Sequence, residues 1–220
     1  MTRERALEQE MVAVCQALYR RQLLAATDGN VSARSGNNLI TTPSGANKGF
    51  IREADLITVD PDGQVLTGTG QPTTELLLHL EVYRTRPDAG AVIHAHPPIA
   101  TAFTVAGVSL AEAVLPEVVL TLGAIPTAPY ATTGTPAMAA AVRDLLPYYD
   151  AILLEQHGAL TVGRDLWDAY NKMEKVEHAA LTVWLARQLG QARTLPDAEV
   201  VKLTRLGIDK GYRPPLATES

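Results

Sequence analysis

Cysteine occurs once in the 220 residues, at Cys15. No intrachain disulfide is available, which suits a reducing compartment and makes the cytoplasm the expected location. The same scarcity excludes a structural zinc site, which is closed by four ligands that are mostly thiolates. Long hydrophobic runs are also missing: no stretch of about 18 uninterrupted apolar residues occurs, so no membrane span is expected. Residues Met1 to Glu8 include acidic side chains and lack the apolar stretch of a secretory signal. Neither sign of charge is in large excess, and a formal net charge of −5 gives no general attraction for nucleic acid. An anionic ligand therefore needs a specific pocket. Linkers, charge blocks, repeats and low-complexity tracts are absent, so residues 1–220 read as a single domain. An apolar fraction of 46% is enough for a core.

What is present is a mixture of two periodicities. Ala6, Leu7, Met11, Val14, Leu18 and Leu24 fall near helical spacing and predict an amphipathic helix from about Arg3 to Ala26. Short strands are expected at Val31–Arg34, Leu39–Thr42, Leu56–Val59 and Val65–Leu66, as an antiparallel meander. A helix capped by Thr73 runs to about Thr85, with Glu75 in its first turn. The strand Ala91–His96, a helix Ile99–Val105, and strands Val118–Leu122 and Ile125–Ala128 follow. Thr135-Pro136 opens a helix to about Leu145, with proline at the first-turn position that tolerates it. Strands Ala151–Leu154 and Ala159–Val162 precede a long helix Leu166–Leu189, and the tail from Pro196 holds one short helix before fraying at Pro214-Pro215. The pattern predicts a mixed sheet covered by helices.

Three histidines carry the chemistry. In AVIHAHPP, His94 and His96 lie two apart on a strand and so share a face. His157, in ILLEQHGAL, follows a second buried strand. Three imidazoles that leave a fourth position open are the pattern of a catalytic metal site. Zinc, manganese and cobalt all accept imidazole. Glu75 has two readings: a carboxylate stabilising a helix N-terminus, or the proton-transfer group beside the metal, with Thr73 and Thr74 holding a phosphate. Gly29-Asn30 and Ser44-Gly45 are either ordinary turns or further phosphate-binding loops, and Lys48 either adds a charge or is a solvated loop lysine. His79 reads as a helix-face residue and His178 as part of a solvated face. MEKVEH lacks the HExxH spacing of a metalloprotease.

The ordered series TDGNVS, TTPSG, PTTE, HAHPP and QHG resembles the class II aldolase/adducin family over about Leu7 to Leu189, nearest its L-fuculose-phosphate aldolase-like enzymes. The resemblance implies a three-layer α/β/α fold, with a mixed but largely antiparallel sheet of nine strands, assembled as a homotetramer with sites at subunit interfaces. It implies a metal, zinc or alternatively manganese or cobalt, on His94, His96 and His157. It makes Glu75 the catalytic acid/base and Gly29, Asn30, Ser44, Gly45, Thr73 and Thr74 a pocket for the substrate's phosphate. The activity implied is reversible cleavage of a ketose 1-phosphate to dihydroxyacetone phosphate and an aldehyde through a metal-stabilised enediolate. A sugar-phosphate epimerase, decarboxylase or dehydratase, or an adducin-type interaction domain, is the alternative. The family's epimerases carry Asp where Glu75 stands, and use an aspartate where Val119 stands here. The fuculose-type enzymes carry a catalytic tyrosine around Leu115-Pro116-Glu117, where this chain has none; neither Tyr130 nor Tyr212 is placed there by spacing.

Overall fold

The computed structural model describes residues 3–212. The chain opens with helix α1 (Arg3–Arg20), which stops short of the expected Ala26. Gln22 adopts a φ of 59°, and this left-handed residue turns the chain out of the helix. Strands β1 (Asn30–Ser35), β2 (Asn38–Thr41), β3 (Ile57–Val59) and β4 (Val65–Thr67) then form the antiparallel meander expected from the sequence. Helix α2 (Leu76–Thr85), strand β5 (Ala91–Ala95) and helix α3 (Pro98–Val105) follow.

The segment expected as a strand at Val118–Leu122 is helical: α4 spans Pro116–Thr121. Pro116 occupies the first turn, Glu117 adds a favourable charge there, and this start signal outweighs the β-branched pair Val118-Val119. Only Thr127–Ala128 of the next expected strand pairs, as β6. Helix α5 (Pro136–Arg143) begins at Pro136 behind Thr135, as expected. Strands β7 (Ala151–Leu154) and β8 (Gly158–Gly163), helix α6 (Leu166–Leu189) and helix α7 (Asp197–Asp209) complete the described residues. The expected fraying at Pro214-Pro215 lies outside them.

The eight strands form one sheet in the order β4-β3-β2-β1-β5-β8-β7-β6. Every pairing is antiparallel except β6 with β7. Among the described residues this is one strand fewer than the nine implied by the resemblance; an isolated bridge joins Pro43 to Pro72. Alternation of side chains gives each strand two burial faces. Val31, Ala33, Ala91, Ile93, Ala95, Ala151 and Leu153 pack with α1, α3, α4 and α6. Leu39, Ile57, Val92, Ile152, Leu154, Leu160 and Val162 pack on the other face with α2 and α5. The result is a three-layer α/β/α architecture. No described helix is long and apolar enough to cross a membrane.

Candidate metal centre

The alternation that sends Val92 toward α2 and α5 carries His94 to the same face, while Ile93 and Ala95 point to the other. Asn30 of β1 lies directly opposite His94, and Leu160 of β8 opposes it on the other side. His96 falls just past the end of β5, where its N–H donates to Leu23 O at 3.0 Å. His157 sits in the tight connection from β7 to β8, its N–H donating to Leu154 O. The three rings converge, with centroids 4.6 to 4.9 Å apart. One ligand nitrogen from each lies within 4.8 Å of the others.

Two glycines permit this convergence. A Cβ on Gly29, whose φ is +66°, would lie 2.7 Å from the carbonyl oxygen of His94. A Cβ on Gly158 would lie 2.5 Å from Ala95 O and 2.8 Å from the His96 ring. Both approaches are closer than real side chains allow.

The donor set fits a divalent cation. His94 Nδ1 lies 3.0 Å from Ala159 O, and since a carbonyl only accepts, Nδ1 carries the proton and Nε2 keeps its lone pair for a metal. His94 Nε2 and His96 Nε2 are 3.0 Å apart, close to the roughly 3.3 Å separating two imidazole nitrogens on one tetrahedral zinc. Burial, then the neighbouring His96 and His157, holds His94 well below the ordinary imidazole range. Burial, reinforced by His157, pushes His96 down to about 4. His157 is lowered by burial against the opposing pull of Glu75 and Asp28. All three are thereby kept neutral, the form that ligates.

Glu75 stands beside the histidines. It is the residue that precedes α2, not a member of its first turn, and its N–H donates to the Thr73 hydroxyl at 3.3 Å. Its Oε2 is 3.3 Å from His94 Nε2 and accepts from Asn30 Nδ2 at 2.8 Å. Its Oε1 is buried without a hydrogen-bond partner, 3.6 Å from His157 Nε2, and His157 Nδ1 is likewise buried and unpartnered. Orphaned polar atoms at this depth call for a ligand, ion or water.

A cavity of about 600 Å³ opens over the centre, lined among others by Gly29, Asn30, Ser44, Gly45, Thr73, Thr74, Glu75, His96 and His157. All six residues expected around a phosphate thus share one cleft with the metal candidates. The loops carrying Ser44 and Thr73 are tied together: Ser44 N–H donates to Gln71 O and Thr73 N–H to Thr42 O. His94 lies beneath the cleft, fully buried.

Several lining or supporting residues escaped the sequence reading. Asp28 places a carboxylate oxygen 3.8 Å from His96 Nδ1. Thr133 and Gly134 also line the cleft, and a TTGTP loop before a helix was the available signal for them. Lys48 is buried, not solvated; its Nζ donates to Thr27 O at 2.6 Å, and burial lowers its pKa from the usual lysine range. His79 is fully buried under the site, whereas His178 is exposed, as expected.

Residues 9–184 match the model of the Class II Aldolase and Adducin N-terminal domain. An L-fuculose phosphate aldolase of Methanococcus vannielii is 37% identical over 171 residues, covering 78% of this chain and 92% of that protein. A 3-oxo-tetronate 4-phosphate decarboxylase of Escherichia coli K12 is 31% identical over 187 residues, covering 83% and 88%. Among solved structures, an L-fuculose 1-phosphate aldolase superposes with a TM-score of 0.86 at 31% identity, covering 93% of this chain and 96% of that one.

Proposed function

The chain belongs to the Class II Aldolase and Adducin N-terminal domain family, and from that membership we propose that it is a metal-dependent lyase of phosphorylated sugars, cleaving a ketose 1-phosphate reversibly to dihydroxyacetone phosphate and an aldehyde. The observation that carries this reading is the meeting of three neutral imidazoles and a carboxylate in a cleft rimmed by hydroxyls and backbone amides. His94, His96 and His157 would hold zinc, or manganese or cobalt. Such a cation, when bound, would supply Lewis-acid stabilisation of negative charge on substrate oxygens, worth several kcal/mol.

The rest falls to the chain's own groups. The Ser44, Thr73 and Thr74 hydroxyls, with the amides of Gly29 and Gly45, are neutral donors suited to a phosphate, and the buried Lys48 adds charge nearby. Asn30 has one amide hydrogen left for the ligand after its bond to Glu75. Glu75, buried and away from bulk water, would move the proton to and from the carbon that carries charge after the C–C bond breaks. In the cell this reading has a cytoplasmic homotetramer, with clefts closed at subunit interfaces.

A second reading, decarboxylation of a phosphorylated 3-oxo acid, is favoured by the similarity to the decarboxylase of Escherichia coli and by the missing tyrosine near Leu115. Loss of carbon dioxide leaves the same kind of charged carbon for Glu75 to protonate. Product analysis separates the two. The primary test is a steady-state assay on ketose 1-phosphates, with metal content measured on the same samples. Glu75→Gln is expected to keep its metal and lose about 10²- to 10⁴-fold in kcat, and His94→Ala to lose both metal and turnover. An active, metal-replete His94→Ala enzyme overturns the reading.

A further inference from the structure

A chain of buried hydrogen bonds leads from the sheet to one oxygen of Glu75, and its direction can be derived group by group. An ionised carboxylate only accepts, so the group 2.8 Å from Glu75 Oε2 is the amide nitrogen of Asn30. This places Asn30 Oδ1 on the opposite side, 2.5 Å from His79 Nε2. An amide oxygen cannot donate, so His79 carries its proton on Nε2, and Nδ1 is left with a lone pair. Ser32 Oγ, 2.6 Å from Nδ1, must then be the donor. Its own lone pair receives the Tyr83 hydroxyl at 3.0 Å. Every link thus donates toward Glu75.

The alternative amide orientation would set two acceptors against each other at 2.8 Å between two buried side chains. Asn30, Ser32, Glu75, His79 and Tyr83 are all buried, so these bonds are largely shielded from bulk solvent. Burial also pushes His79 down to about 3, which keeps the ring neutral and its two nitrogens in opposite roles. Aligned bonds of this kind reinforce one another in a low-dielectric interior.

The consequence lies in the inequality of the two carboxylate oxygens. Oε2 accepts from Asn30, while Oε1, also buried, has no hydrogen-bond partner and lies 3.6 Å from His157 Nε2. We propose that His79 is a positioning residue: acting through Asn30, it holds Glu75 by Oε2 and so fixes the orientation of the carboxylate that exchanges the proton with the substrate carbon. This inference rests on the acid/base role proposed above for Glu75. His79 touches neither the metal candidates' ligand nitrogens nor the cleft, so its effect is confined to orientation.

The test compares His79→Leu, which removes both ring nitrogens, with His79→Gln, whose amide can still donate to Asn30, and with the smaller change Ser32→Ala. Expected for His79→Leu is unchanged metal content, a KM within about twofold of wild type and a kcat lowered by about 100-fold. His79→Gln is expected to recover at least about tenfold of that loss, and Ser32→Ala to show a milder fall in kcat alone. Should His79→Leu fail to fold, the Gln and Ala variants carry the comparison. Equal kcat in the Leu and Gln variants, or a loss that follows metal content or KM, overturns the proposal. Crystal structures of wild type and His79→Leu form the second arm. They are expected to show the Asn30 amide turned and the Glu75 carboxylate rotated in the variant; an unmoved pair overturns the proposal. Because this arm needs no substrate, it decides on His79 even if the wild-type enzyme cleaves no ketose 1-phosphate, an outcome that would sink only the aldolase reading.

Discussion

Within the fold His79 is neutral and its pKa has fallen to about 3, while in the unfolded chain it titrates near 6.5. Below that value the unfolded state binds a proton that the folded state refuses, so the stability this side chain allows is complete above pH 7 and is lost as pH falls toward 3. Between pH 7 and pH 5 the wild type should lose about 2 kcal/mol more than His79→Gln, since the other histidines contribute equally to both. Urea denaturation of the metal-free proteins at the two pH values reads the difference, and parallel losses would contradict a neutral buried ring. A second residue-scale expectation concerns Thr74, exposed on the cleft rim. Removing a hydroxyl that bonds an ionic phosphate costs about 1.5 to 3 kcal/mol. Thr74→Ala should therefore raise KM for a phosphorylated substrate about 10- to 100-fold while leaving an unphosphorylated analogue unaffected. Equal effects on the two would remove Thr74 from the phosphate pocket.

At the scale of elements, α3 follows directly on the HAHPP segment and begins with amides that no side chain of its own caps. Glu177, on α6, accepts from Ile99 N–H at 3.0 and 3.1 Å and from Ala100 N–H at 2.9 Å. A carboxylate at a helix N-terminus both satisfies orphan donors and complements the dipole. Glu177→Ala should cost about 1 to 2 kcal/mol and lower Tm by several degrees, with little change in metal content. Calorimetry checks this; an unchanged Tm would show the cap to be dispensable. This cap also marks the limit of what local sequence reveals. His94 and His96 were legible because a period of two is a property of the strand itself. The role of Glu177 was not legible in the sequence because its partners lie 77 and 78 residues away. His79 was hidden in the same manner, its bonds reaching back 47 and 49 residues to Ser32 and Asn30. Val118-Val119 misled in the opposite sense, since β-branched residues favour a strand only where no stronger helix start precedes them.

Over the whole molecule, the candidate centre draws on β1, the end of β5, the turn before β8 and the residue preceding α2. A cation held there would couple these elements, and anything that binds only the folded state stabilises it by mass action, about 2.7 kcal/mol at a hundredfold excess over Kd. Chelation should lower Tm by about 5 to 10 °C for a chain of this size, and readdition of zinc should restore it. His94→Ala should show no such shift; a chelator effect that survives in that variant would place the cation elsewhere. The ordered motifs were enough to anticipate the layered architecture and which loops share a cleft. They did not convey the buried state of Lys48 or the approach of Thr133 and Gly134, because both depend on how distant loops stack over the sheet.

The place of β5 between β1 and β8 has a temporal consequence. A chain emerging from the ribosome can pair β1 with β5 early, yet His157 and the strand that backs it arrive only after some 150 residues have been made. Until then the first two imidazoles lack their third companion and the sheet lacks the flank that supplies Ala159 O to His94. A cation on the three imidazoles would thus be captured only after β7 and β8 have closed the far side of the sheet.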